Sequence, residues 1–162
     1  MTVTAHETPR TARAAEAFAA RHAELQGVLD HWAGVLAAAA DGGRPVRPVR
    51  NLLRTFLTDE VLPHARAEER TLYRAARRVP DTSLLVRELI AEHETLASMA
   101  GELGDPASPA ATAARAAAVS ALFASHVAKE NSVLLPALRR AGTDLAALCA
   151  REPLLTGSPC AA

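Results

Sequence analysis

Apolar residues recur along this chain at alternating spacings of four and three, and stretches rich in Gly, Pro and Asp separate the runs. That pattern predicts four long amphipathic helices. The first should begin at Thr8-Pro9, an N-cap followed by proline at the first helical position, and reach about residue 40. Its inward stripe is Phe18, His22, Leu25, Leu29, Trp32 and Leu36. Asp41-Gly42-Gly43-Arg44-Pro45 breaks it, and a second helix is expected over residues 48–78 with Leu53, Leu57, His64, Glu68, Leu72 and Ala75 inward. Pro63 falls inside this helix, removes one backbone hydrogen bond, and should kink it beside His64.

Pro80-Asp81 should end that segment and cap a third helix over residues 82–103, with Val86, Leu89/Ile90, His93, Leu96/Ala97, Ala100 and Leu103 on its stripe. A fourth, over residues 110–140, carries Val119, Phe123, His126, Glu130, Val133 and Ala137, and Gly142 closes it. A short helix over 144–150 follows. The expected architecture is all-α, an up-down-up-down antiparallel four-helix bundle with a site in its core. Residues 1–150 form one domain in this reading, and residues 151–162 a flexible C-terminal tail.

Composition agrees. Hydrophobic residues make up 49 % of the 162 but aromatics only 3 %, so Ala and Leu dominate and favour helix over strand. The formal net charge of zero provides no basic surplus for nucleic acid. Neither a signal-like leader nor an apolar span long enough for a membrane is visible, and a cytoplasmic protein is expected. Cys149 and Cys160 match no metal or redox spacing.

The chemistry lies in the polar residues on the apolar stripes. His22, His64, His93 and His126 stand there, and Glu68 and Glu130 each follow a histidine by four residues, which puts both side chains on one helix face. A single histidine on such a stripe is most often a hydrogen-bonded core residue. Two glutamates beside four histidines are different, because a buried carboxylate needs a partner and no Arg or Lys falls inward near either. His6, in the leader, and His31, off the stripe, read as bystanders. Imidazole and carboxylate without thiolate suit iron, manganese or zinc, and a carboxylate able to bridge favours a dinuclear site. Glu68 and Glu130 are the natural bridges.

The ligand heights can be counted. His22 and His64 lie 21 residues on either side of Gly43, while Glu68 lies 12 before and His93 13 after Pro80. From Pro106, His93 is 13 residues away and His126 is 20, so this level match needs the irregular stretch to extend several residues past Pro109.

At these residues the chain resembles the hemerythrin-like family of His/Glu cation-binding domains. The likeness rests on LPHARAEERTLY around His64, EHE around His93 and HVAKENSVLLPAL around His126, and it spans about residues 14–140. It implies a four-helix bundle with a non-haem di-iron centre as cofactor. His22 and His64 would bind one iron and His93 and His126 the other, with Glu68, Glu130 and an oxo or hydroxo group as bridges. Oxygen-carrying hemerythrins have a further histidine where this chain has Ala97, and Asp at a different spacing where it has Glu130. Both irons would then keep an open position, which favours peroxide or nitric oxide chemistry over reversible oxygen carriage. Glu60, Glu69, Glu92 and Glu94 are near enough to add a ligand or an outer hydrogen bond, although each reads first as a solvated residue. Tyr73 falls off the stripe and reads as packing.

Three functions follow from these residues. One is a binding or sensing protein for oxygen, nitric oxide or iron, needing a protein partner if it signals, since no DNA-binding motif is visible. Another is a di-iron enzyme acting on peroxide in the manner of a catalase, or oxidising a small substrate. The third is a structural zinc or mononuclear site, for which four histidines and two carboxylates are more than enough.

Overall fold

A computed structural model describes residues 9–157, and every regular element in that span is helical. Helix α1 is Pro9–Asp41. Helix α2 (Arg47–Phe56) passes through a π turn (Leu57–Val61) into α3 (Leu62–Arg70), and α4 (Leu72–Ala76) follows a break at Thr71. Helix α5 is Ser83–Glu102. Helix α6 (Pro109–Lys129) leads through a second π turn (Glu130–Leu134) into α7 (Leu135–Arg140). Helix α8 (Leu145–Arg151) and a 3-10 turn (Pro153–Leu155) complete the described chain. Thr8, His6 and Cys160 lie outside it.

The helix ends follow local chemistry. Gly142 adopts φ 71°, a left-handed conformation that suits glycine, and Thr143 N–H reaches back to the Leu138 carbonyl at 3.0 Å. Ser108 caps α6 by accepting the Ala111 N–H at 3.2 Å. The third helix is entered differently from expectation. Asp81 turns left-handed at φ 67°, and Thr82 takes the cap position, its hydroxyl donating to the Ala76 and Val79 carbonyls.

Pro63 does not produce a simple kink. Leu62, just before it, donates its N–H to the Leu57 carbonyl five residues back. The same arrangement precedes Pro136, where Leu135 N–H bonds the Glu130 carbonyl. A proline ring clashes with the carbonyl four residues upstream, and widening the preceding turn makes room for it. The wider turn also slips the phase of the stripe. Val133, expected inward, is 49 % exposed, while Leu134, Leu135 and Leu138 are buried in its stead.

The irregular stretch before α6 stops at Ser108 and does not extend past Pro109. The seven-residue difference between the two counts is about 10 Å of helix. Residues 103–105 turn, and residues 106–108 can span that distance in extended form, at roughly 3.3 Å each. The connection itself brings His126 level with His93.

The core falls into two apolar clusters, and each long helix crosses from one to the other at its histidine. One cluster holds Phe18, Leu72, Leu89 and Leu138; the other holds Leu25, Leu57, Leu96 and Phe123. His22 lies between Phe18 and Leu25, His64 between Val61 and Ala67, His93 between Leu89 and Leu96, and His126 between Phe123 and Leu134. As far as Gly157 the C-terminal segment is packed: Leu155 is buried in the first cluster, and Glu152 pairs with Arg70 at 2.8 Å. No helix among the described residues is long and apolar enough to cross a membrane.

Candidate metal centre

All six residues singled out by the stripes meet where the two apolar clusters part. His22, His64, His93, His126, Glu68 and Glu130 are each 5 % exposed or less. His22 and His64 bring their Nε2 atoms to 3.1 Å of each other, and His93 and His126 do the same at 3.1 Å. Glu68 lies between the two pairs. Its Oε1 is 2.9 Å from His64 Nε2 and 3.1 Å from His22 Nε2, while its Oε2 is 3.3 Å from His93 Nε2. Glu130 Oε2 stands 3.4 Å from both His22 Nε2 and His126 Nε2.

The outer nitrogens fix the ring orientations. His22 Nδ1–H donates to Asn131 Oδ1 at 3.0 Å, and His64 Nδ1–H to the Leu154 carbonyl at 2.8 Å. His93 donates to Glu69 at 2.8 Å and His126 to Glu92 at 3.0 Å. Every partner is an acceptor, so each ring carries a proton on Nδ1 and turns Nε2 inward. Phe18 packs edge-on against His22, and Tyr73 stacks on His93 with ring centres 5.4 Å apart.

Two facing lone pairs at 3.1 Å repel unless a proton or a cation lies between them. Burial by itself lowers the His64 pKa, but the charge and hydrogen bond of Glu68 outweigh it and leave the group above its usual value. Burial lowers His126 too, and there the hydrogen bond and charge of Glu130 prevail and hold it at about 9. Burial raises Glu68, yet the charge of His64 and hydrogen bonds from three histidines keep it well below the usual carboxylate range. His126 is thus held protonated at neutral pH in the metal-free chain, and His64 is biased in the same direction.

The donor set fits a metal. His22, His64 and Glu68 form one buried group whose ligand atoms lie within 4.8 Å of one another, and Glu68, His93 and His126 form a second. Glu68 belongs to both. Glu130 Oε2 is buried and no short hydrogen bond reaches it, His22 and His126 Nε2 standing 3.4 Å away, a costly state for a carboxylate oxygen that a neighbouring cation would relieve.

Tyr73 is the residue that stripe reasoning missed. Five positions after Glu68, it would point away from the site on a regular helix. Thr71 breaks the helix at φ −122° and ψ −80°, with its hydroxyl bonded back to the Ala67 carbonyl at 2.6 Å, and the chain resumes with Tyr73 turned inward. Its side chain is fully buried. The hydroxyl donates to Glu130 Oε1 at 2.7 Å and lies 3.4 Å from the Nε2 atoms of His93 and His126. Burial, then the charges of Glu68 and Glu130, push the phenol far above its ordinary value, so it remains a neutral donor. The spacing gave no hint of this; the threonine before Leu72 was the available signal.

The remaining candidates divide cleanly. Glu69 and Glu92 support histidines, as above. Glu60 pairs with Arg21 at the surface, and Glu94 is exposed. Ala97 is exposed as well. His31 is exposed, its ring edge-on to Trp32.

Comparison with curated proteins and with solved structures gives no match. The family model described as Hemerythrin HHE cation binding domain matches residues 13–138, which takes in all six buried ligand candidates. On that match, over most of its length, this chain belongs to the hemerythrin HHE cation-binding domain family.

Proposed function

We propose that this protein is a non-haem di-iron protein that binds or senses a small ligand: oxygen, nitric oxide or iron itself. His22 and His64 hold one iron in this reading, His93 and His126 the other, and Glu68 and Glu130 bridge them with an oxo or hydroxo group. The observation that carries it is the position of Glu68, one oxygen facing each histidine pair. Glu130 Oε2, reached only at 3.4 Å and equidistant from His22 and His126, supports a second bridge. The alternation of apolar clusters along successive helices supports an up-down-up-down bundle around the pair.

An iron pair, when bound, supplies redox chemistry and sites for an exogenous ligand. The chain's own residues do the rest. The four outer acceptors hold each Nε2 inward, the aromatic rings exclude water, and Tyr73 keeps a proton on its oxygen beside Glu130. A sensor built this way would act through another protein.

Tyr73 also favours a second reading, an enzyme that disproportionates peroxide to oxygen and water, since a neutral proton donor inside the cluster is useful to turnover. Adding hydrogen peroxide to the iron-loaded protein separates the two. The binding reading predicts bleaching with at most a few equivalents of oxygen released. Sustained oxygen evolution over many turnovers would replace it with the enzyme.

A further inference from the structure

Resting on the dinuclear reading above, we propose that the two metal positions are unequal. His93 and His126 form a tight position, His22 and His64 an exchangeable one, and the groups on the outer nitrogens set the difference.

The first observation is charge. His93 and His126 both donate to carboxylates, Glu69 and Glu92, whereas His22 and His64 donate to a neutral amide oxygen and a backbone carbonyl. A carboxylate draws the Nδ1 proton toward itself and makes Nε2 a stronger donor to a metal. Lys129 tempers Glu92 only in part: it donates to Oε1, leaving Oε2 on His126, and it is shared with Glu88 at 2.8 Å.

Tyr73 adds an oxygen on the same side. Its hydroxyl lies 3.4 Å from the Nε2 atoms of His93 and His126. That face therefore carries a buried hydroxyl that holds Glu130 in place beside its two histidines.

The opposite face is anchored in part from outside the bundle helices. Asn131, the partner of His22, lines a solvent-open cleft of about 230 Å³ with Ala12, Ala15, Ala19 and Leu135 among its walls. Leu154, the partner of His64, sits in a three-residue 3-10 turn tied down by Leu155 and the Arg70–Glu152 pair. Glu69 and Glu92 stand on α3 and α5 themselves. Charge and anchoring point the same way.

Zinc tests this without redox complication. Metal-free protein is titrated with zinc against a competing chelator, and two binding steps are expected. In E69Q/E92Q, glutamine keeps an acceptor oxygen for each histidine and removes only the charge. The tighter step should weaken by about 10–100-fold, the usual effect of losing such outer partners, while the weaker step stays in place. N131D adds a charge behind His22 and should tighten the weaker step alone, with helicity checked by circular dichroism in both variants. If both steps move together, or neither moves, the inequality is overturned and the dinuclear reading stands. Binding of a single zinc ion per chain would overturn the dinuclear reading, and this inference with it.

Discussion

Raising the pH should destabilise the metal-free protein, by an amount that His126 sets. Its pKa is held at about 9 in the folded chain against an ordinary 6.5, chiefly by the hydrogen bond and charge of Glu130 acting against burial. A group whose folded pKa is raised contributes stability that is complete below the unfolded value and lost as the pH rises through the folded one. The 2.5-unit difference corresponds to about 3 kcal/mol at ~1.4 kcal/mol per unit. His64, also raised, acts in the same direction. Urea denaturation in the presence of chelator should therefore show a loss of roughly 2–3 kcal/mol between pH 6.5 and pH 9. Zinc-loaded protein has no proton to lose at these nitrogens, and its stability should not fall across that window. Glu68 works at the other end: with its folded pKa depressed below 4.5, its contribution is present above that value and lost as the pH falls below it. The metal-free chain should thus be most stable between pH 4.5 and 6.5. Stability of the metal-free protein that is constant or rising from pH 6.5 to 9 would refute the proton-for-metal account of the histidine pairs.

Four substitutions probe the remaining structure. Tyr73→Phe removes the donor to Glu130 with almost no change in volume, and should cost the metal-free protein about 1.5–3 kcal/mol by denaturation, less when zinc is bound. Glu68→Ala should lose both metal ions together, read by metal analysis after desalting; retention of one full equivalent would defeat its bridging role. Leu134→Ala should cost about 2–5 kcal/mol and Val133→Ala less than about 0.5, and a reversed order would contradict the π-turn phase slip.

The parts of the site legible in the sequence are those that a helical period controls. Phe18, His22 and Leu25 lie on one face of α1 because α1 is regular, and the same holds for His93 and Leu96 on α5. Each departure has a local cause that period counting ignores. Pro136 forces a π turn that exchanges Val133 for Leu134, and the Leu-Pro pair at 62–63 was its visible counterpart. Thr71 breaks a helix and turns Tyr73 inward. The partner of His64 is a main-chain carbonyl 90 residues away, which no side-chain pattern can announce. Ala97 looked inward on the same counting, yet Leu96 takes the buried place and Ala97 faces solvent.

The most direct test of the central claim is metal content by mass spectrometry on protein purified without oxygen, with absorption spectra before and after exposure to air. The account predicts two iron ions per chain and new ligand-to-metal bands on oxidation that shift when azide is added. One zinc ion per chain, or no metal and an unchanged spectrum, would contradict it and leave the four histidines as core residues sharing protons with Glu68 and Glu130.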